Sequence, residues 1–254
     1  MSRIEKLHFP NTHGELLSAR LDVPDKPPQA YALLAHCFTC NKSLKAAGHI
    51  AKGLVDQGIA VFRFDFTGLG ESEGDFSNTN FTSNVQDIFS AARFMEQQGY
   101  PPHILVGHSL GGTAVLKSAA FISSAKAVVT IGSPASPSHV AEQFSGSKEM
   151  ITKQGEAIVT LAGRDFIIRQ QFIDDLEHAS VLDEITQLKK ALLVMHAPLD
   201  KTVGIKNAGV IFQAAHHPKS YISLDQSDHL LSKPSDAHYV GLLIAAWVDR
   251  YLND

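Results

Sequence analysis

The stretch Pro101-Pro102-His103-Ile104-Leu105-Val106-Gly107-His108-Ser109-Leu110-Gly111-Gly112-Thr113-Ala114-Val115-Leu116-Lys117 changes character at its centre. Ile104–Val106 is a short, continuously apolar run, as expected of a strand covered on both faces of a parallel sheet. Gly112–Lys117 continues instead as a helix. Between them, Gly107-His108-Ser109-Leu110-Gly111 matches G-x-S-x-G. A strand that ends on this motif and a helix that starts straight after it put the serine on a strained turn. The glycines two residues to either side keep strand and helix from colliding. Ser109 is thereby expected as a nucleophile.

Three fixed positions are a weak signal, since they arise by chance about once in ten chains of this length. A second match, Gly70-Glu71-Ser72-Glu73-Gly74, is in fact present. Ser72 follows a glycine-rich loop, Asp65-Phe66-Thr67-Gly68-Leu69-Gly70, and is flanked by two glutamates that would oppose a developing oxyanion. No helix pattern starts at Asp75-Phe76-Ser77-Asn78. Ser72 is read as part of a tight loop.

Outward from Ser109, apolar runs alternate with helical patterns. Strands are expected at Tyr31–Ala35, Ala60–Asp65, Ile104–Gly107, Ala127–Ile131, Ala191–His196 and Ser220–Leu224. Helices are expected at Leu44–Gln57, Asn84–Gln97, Leu110–Phe121, Val203–Ala215 and Ala237–Leu252. This alternation implies βαβ crossovers and a mostly parallel sheet of the α/β class, with helices on both faces. Lys6–Phe9 and Glu15–Val23, separated by Asn11-Thr12-His13-Gly14, read as an antiparallel hairpin at the sheet edge. One connection, the 59 residues from Gly132 to Lys190, is far longer than a crossover requires. It starts as a loop around Pro134, Ser136 and Pro137. A small hairpin (Glu156–Leu161 and Phe166–Gln170) follows, then short helices near Gln171–Leu176 and Val181–Leu188. Inserts this long are usually functional, so 132–190 is expected to cap a site within one domain spanning 1–254.

With 254 residues, 44% of them hydrophobic and 19% charged, the chain can bury a large core and is neither disordered nor repetitive. Its 26 acidic against 22 basic residues, net −4, give no basic footprint, so nucleic acid is not an expected partner. Met1-Ser2-Arg3-Ile4-Glu5-Lys6 lacks the apolar core of a signal peptide. The longest apolar run, Gly241 to Val248, is far short of the roughly 20 residues of a membrane span. A cytoplasmic protein without a membrane partner is expected. Cys37-Phe38-Thr39-Cys40 contains both cysteines, too few to staple a domain of this size and better suited to a reducing compartment. One pair cannot build a four-cysteine zinc site. A redox role would want a helix N-terminus to lower a thiol pKa. The two are read as small, mostly buried side chains.

A serine hydroxyl needs a base, and the base an orienting acid. Both are expected later in the chain, beyond the carboxyl ends of strands. Asp200 follows Ala191–His196 and fits the acid, with Asp225 and Asp228 as rivals. Among the later histidines, His216 and His217 precede the last strand and His238 falls in the terminal helix. His229, in Asp225-Gln226-Ser227-Asp228-His229, lies at the correct edge and fits the base. For the oxyanion, one backbone N–H is expected from Leu110, at the helix N-terminus. The other is assigned to Phe38, in the loop after Tyr31–Ala35.

Together these residues resemble the α/β-hydrolase superfamily over residues 20–254. The segment from His36-Cys37-Phe38-Thr39-Cys40 through Arg63-Phe64-Asp65-Phe66-Thr67-Gly68-Leu69-Gly70-Glu71-Ser72-Glu73-Gly74 is similar to the hydrolase half of bacterial proteins fused to an OsmC-type domain. Many relatives have His-Gly where this chain has His36-Cys37. No OsmC segment is expected, because the chain closes on an amphipathic helix, so its peroxide chemistry is not carried over. The resemblance implies Ser109, Asp200 and His229 as the triad, and Phe38 and Leu110 as oxyanion donors. The expected function is a bacterial serine hydrolase of the carboxylesterase or thioesterase kind, acting on a small ester without cofactor or metal. A peptidase is an alternative, as is a non-catalytic small-molecule binder. A dehalogenase would need a carboxylate in place of Ser109.

Overall fold

The computed structural model describes residues 3–37, 40–161 and 163–252. The apolar runs form β3 (Ala30–Ala35), β4 (Ile59–Phe64), β5 (Ile104–His108), β6 (Ala127–Ile131), β9 (Ala191–His196) and β10 (Lys219–Ser223). The N-terminal hairpin is β1 (Arg3–Pro10) and β2 (Leu16–Val23). They join in one eight-stranded sheet of order β1-β2-β4-β3-β5-β6-β9-β10. Every pair from β4 to β10 is parallel, and only the β1–β2 and β2–β4 pairs at one edge are antiparallel. This is the mostly parallel α/β sheet that the alternating pattern implies.

The two-residue period of the strands divides the interior in two. Leu33, Phe62 and Leu105 face one core with α2 (Phe81–Gln97), α3 (Leu110–Ala119) and α7 (Lys206–Ala214). Leu34, Val61 and Val106 face the other, with α1 (Lys45–Asp56) and α8 (Pro234–Leu252). Helices α1 and α8 touch backbone to backbone at Gly53 and Gly241. A Cβ on Gly53 would stand 2.5 Å from the His238 carbonyl oxygen. Helix α2 starts at Phe81, three residues before the expected Asn84, because Asn80 and Ser83 form a reciprocal capping box.

Between β6 and β9 lie α4 (Lys148–Gln154), the hairpin β7 (Glu156–Leu161) and β8 (Arg164–Arg169), α5 (Gln170–His178) and α6 (Leu182–Thr186). The start of this segment departs from the expected loop. Pro137–Ser147 winds into 3-10 turns, with Pro137 in the first turn and the Ser136 hydroxyl accepting from the Ser138 N–H. The hairpin turns Ala157, Val159, Leu161 and Ile168 inward. Among the described residues, no helix is long and apolar enough to cross a membrane.

Candidate active site

Three strand ends meet at the carboxyl edge of the sheet. At the end of β5, Ser109 adopts φ 55° and ψ −129°, a left-handed conformation that costs a non-glycine residue about 1–3 kcal/mol. Its backbone N–H donates to the Ile131 carbonyl at 2.8 Å, tying the turn to β6. The flanking glycines leave no room for a side chain. A Cβ on Gly107 would lie 2.4 Å from the Gly112 Cα, and one on Gly111 2.3 Å from the His36 carbonyl oxygen. Gly111→Ala therefore pushes on backbone at both neighbours, Ala35 and His36. It is expected to cost about 1–3 kcal/mol and to lower Tm in calorimetry. Gly209→Ala, in α7 with open space around it, should leave Tm unchanged or raise it.

The loop after β10 carries His229 and the turn after β9 carries Asp200. His229 Nδ1 donates to Asp200 Oδ2 at 2.6 Å, and His229 Nε2 accepts from the Ser109 hydroxyl at 3.1 Å. Asp200 is fixed from its other side, where Oδ1 accepts the backbone N–H groups of Thr202 and Val203, each at 2.8 Å. Burial alone would raise the Asp200 pKa. The hydrogen bonds from His229 and from these backbone groups outweigh it, and the carboxyl is held below its ordinary value. The structure thus brings Ser109, His229 and Asp200 into one hydrogen-bonded line. The rivals lie elsewhere. Asp228 accepts from the Ser232 N–H at 2.8 Å, and Asp225 is bonded to the Ser223 hydroxyl.

Leu110 begins α3, so its N–H sits beside Ser109 at the positive end of the helix dipole. Phe38, the other expected donor, lies outside the described residues. Further along the chain, Asp65 accepts the Lys42 backbone N–H, the Lys42 ammonium at 2.6 Å and the Glu71 N–H at 2.9 Å. The second serine motif packs against Asp65. A Cβ on Gly70 would overlap the Asp65 carboxylate at 2.2 Å, and the Ser72 hydroxyl donates to the Asp65 carbonyl at 2.6 Å.

Cys37 and Cys40, read from the sequence as small, mostly buried side chains suited to a reducing compartment, are joined in a disulfide with Cα atoms 5.4 Å apart, and Cys37 is buried. The physical reason is a turn that spacing alone does not reveal. The Cys40 N–H donates to the Cys37 carbonyl at 3.1 Å and brings the two within bridging distance. A loop this short gains little stability from its cross-link.

Three supporting residues were not singled out by motif reasoning. His108, inside the serine motif, donates from Nε2 to the His229 carbonyl at 2.7 Å. Burial pushes its pKa down to about 4, so the ring is neutral near pH 7. His196 donates to the Val203 carbonyl at 2.7 Å, bracing the turn whose N–H groups hold Asp200. Gly132, at φ 55°, faces the acid–base pair, with its virtual Cβ 3.3 Å from Asp200 Oδ2 and 3.4 Å from His229 Nδ1. The positions of Gly132 and His196 at strand ends were the available signal.

Beside Leu110 a small cavity of about 10 Å³ is lined by His36, Cys37, Phe66, Leu69, Phe76 and Leu110, among others. That is room for about one water molecule. Phe76 meets Phe166 of β8 (ring centroids 4.9 Å apart) and Phe172 of α5 (6.3 Å), so the 132–190 segment packs against one wall of this cavity.

Known proteins place this arrangement in a family. The family described as serine aminopeptidase, S33, matches residues 26–161, just over half of the chain. The crystal structure of the esterase domain from a Rhodothermus marinus protein superposes with a TM-score of 0.79 at 46% identity, covering 98% of this chain and 99% of that one. The mouse palmitoyl-protein thioesterase ABHD10, mitochondrial, is 26% identical over 203 residues, 76% of this chain and 66% of the relative. The chain thus spans just under two thirds of that thioesterase. A mouse structure of alpha/beta hydrolase domain-containing protein 10, 22% identical with a TM-score of 0.79 and covering 97% of this chain and 99% of that one, shares the fold. An eight-stranded sheet of this order, a serine on the turn between β5 and α3, and these matches make the chain a member of the α/β-hydrolase superfamily, within the serine aminopeptidase S33 family.

Proposed function

We propose that the protein is a serine hydrolase that cleaves small carboxylic esters or thioesters through an acyl-enzyme on Ser109. The observation that carries this reading is the line from Ser109 Oγ to His229 Nε2 (3.1 Å) and from His229 Nδ1 to Asp200 Oδ2 (2.6 Å). As Ser109 Oγ bonds to the substrate carbonyl carbon, its proton passes to His229 Nε2. Asp200 stabilises the resulting imidazolium. The negative charge on the carbonyl oxygen is taken by the Leu110 N–H and, in this proposal, the Phe38 N–H. Collapse of the intermediate breaks the bond to the leaving alcohol or thiol, which receives the proton from His229. Water then attacks the acyl-enzyme by the same route in reverse. The narrow cavity beside Leu110 supports a short acyl group, and residues 132–190 are proposed as the cap that closes over it.

Asp200→Asn gives a sharp test of the acid. The two backbone N–H groups on Oδ1 fix the asparagine oxygen there, so the amide NH₂ faces His229 Nδ1. Nδ1 must then accept, the ring proton moves to Nε2, and the base is lost. A fall in kcat of about 10³–10⁴-fold is expected. Retention of most activity would reassign the acid.

The direct experiment is labelling with a fluorophosphonate and peptide mapping, beside turnover of short-chain p-nitrophenyl esters. Modification at Ser109 with ester turnover is expected. A folded sample that does not label would favour a non-catalytic binder. The family's aminopeptidase description supports a second reading, tested with aminoacyl p-nitroanilides. Turnover of these above the esters would replace ester cleavage by amide cleavage at the same serine.

A further inference from the structure

Two hollows larger than the cavity beside Leu110, about 410 and 470 Å³, lie over the antiparallel edge of the sheet and share Ile4, Arg20 and Ser43. Under them the strand register sets three cations in a row. Lys6 of β1 is directly opposite Arg20 of β2, and Arg20 is directly opposite Arg63 of β4. Directly opposed residues project from the same face, and like charges so placed destabilise a sheet. The carboxylate placed among them is Asp22. It accepts from Arg20 Nη2 at 2.9 Å and from Arg63 Nη2 at 2.7 Å, so one acid serves two guanidinium groups. Arg63 is 3% exposed, and the Arg20 Nε is buried without a hydrogen-bond partner.

Seven of the side chains lining the two hollows are lysine or arginine, and two, Asp22 and Glu71, are carboxylates. Glu5, Asp56 and Asp65 pair with Arg3, Lys52 and Lys42. An excess of two positive charges remains even after these are counted, within a chain whose net charge is −4. We propose that this face of β1, β2 and β4 is a binding site for a soluble phosphorylated small molecule carrying a pyrophosphate-like group. Arg63 is held by Asp22 and the Lys42 carbonyl and backs the site from below. The groups offered to a phosphate are therefore the Arg20 guanidinium and the exposed Lys6 and Lys45, and a dianionic or more highly charged group offsets the excess. Ile4, Leu44 and Val55 give one wall an apolar surface for the ligand's organic body. The volume is that of a small-molecule pocket, and the site is a recess rather than the extended basic stripe a nucleic acid needs. None of this depends on the hydrolase reading.

The test is calorimetric titration of the full chain at low ionic strength with inorganic pyrophosphate, ATP and adenosine. Vesicles containing phosphatidylinositol 4,5-bisphosphate form a separate arm. Pyrophosphate and ATP are expected to bind one per chain, with adenosine at least about tenfold weaker and added salt weakening both anions. Arg20→Gln and Lys45→Glu should each weaken ATP binding by about tenfold or more, while Ser109→Ala binds as the parent does. Lys45 is exposed in the first turn of α1, which has no acidic residue. A glutamate there suits the helix dipole, so this variant stays informative even if Arg20→Gln does not fold. The proposal is overturned by no saturable binding of pyrophosphate or ATP, by adenosine binding as tightly as ATP, by unchanged affinity in Lys45→Glu, or by binding to the vesicles alone.

Discussion

Ser109→Ala should lower kcat on short-chain p-nitrophenyl esters by about 10⁴–10⁶-fold and barely alter the thermal unfolding of the protein. The loss is large because the variant has no atom to carry the acyl group. The small structural effect follows from what the turn rests on. Its backbone is held by the Ser109 N–H to the Ile131 carbonyl and by Gly107, Gly111 and Gly112, none of which changes. The hydroxyl contributes one hydrogen bond of 3.1 Å, so Tm is expected to move by no more than about 2–4 °C. His229→Ala should lose turnover to a similar degree but differ in stability. It leaves the buried Asp200 carboxylate without its partner on Oδ2, at a cost of about 1–3 kcal/mol. Parallel ester assays and calorimetry separate the two. More than a few per cent of parental turnover in Ser109→Ala would place the nucleophile elsewhere.

The elements that position this line were legible because each rests on local pattern. Ile104–Val106 and Ala127–Ile131 are apolar on both faces, and the structure makes strands of both runs. That Ser109 and not Ser72 stands between a strand and a helix was also readable. Hidden features needed contacts across the chain. His108 acts on a carbonyl 121 residues away, and Gly132 matters because Asp200 and His229 fold against it. The Cys37–Cys40 bridge depended on a turn, and the 3-10 winding after Pro137 on a cap, neither of which has a hydrophobic period. The cation row of Lys6, Arg20 and Arg63 is invisible along the sequence because register alone aligns it.

Acidification supplies the second large effect. Between pH 6 and 4 the protein is expected to lose at least about 3 kcal/mol of stability. Burial pushes the pKa of His36 and of His108 down to about 4 from an ordinary 6.5. Their stabilising contribution is present above pH 6.5 and is lost as pH falls towards 4, because the unfolded chain takes up protons that the folded one refuses. Asp87 works the other way. Burial raises its carboxyl to about 6 from 3.8, so its contribution is full below pH 3.8 and is lost as pH rises through 6. Among these three groups, two protons favour the unfolded state on acidification and one favours the folded state; burial also lowers the pKa of His103 and His196, which adds to the acid loss. The net of one gives about 1.4 kcal/mol per pH unit over two units. Asp87→Asn should remove the opposing proton, raising stability at pH 8 and steepening the acid loss. Its carbonyl oxygen can still accept from the Thr67 N–H, as Asp87 does at 2.9 Å. Urea melts of the parent and Asp87→Asn at pH 4, 6 and 8 measure the two slopes in each. A flat profile would mean that His36 or His108 takes its proton inside the fold. For His108 that would put a positive ring 5.3 Å from the His229 ring, where it would oppose the imidazolium the proposed reaction forms.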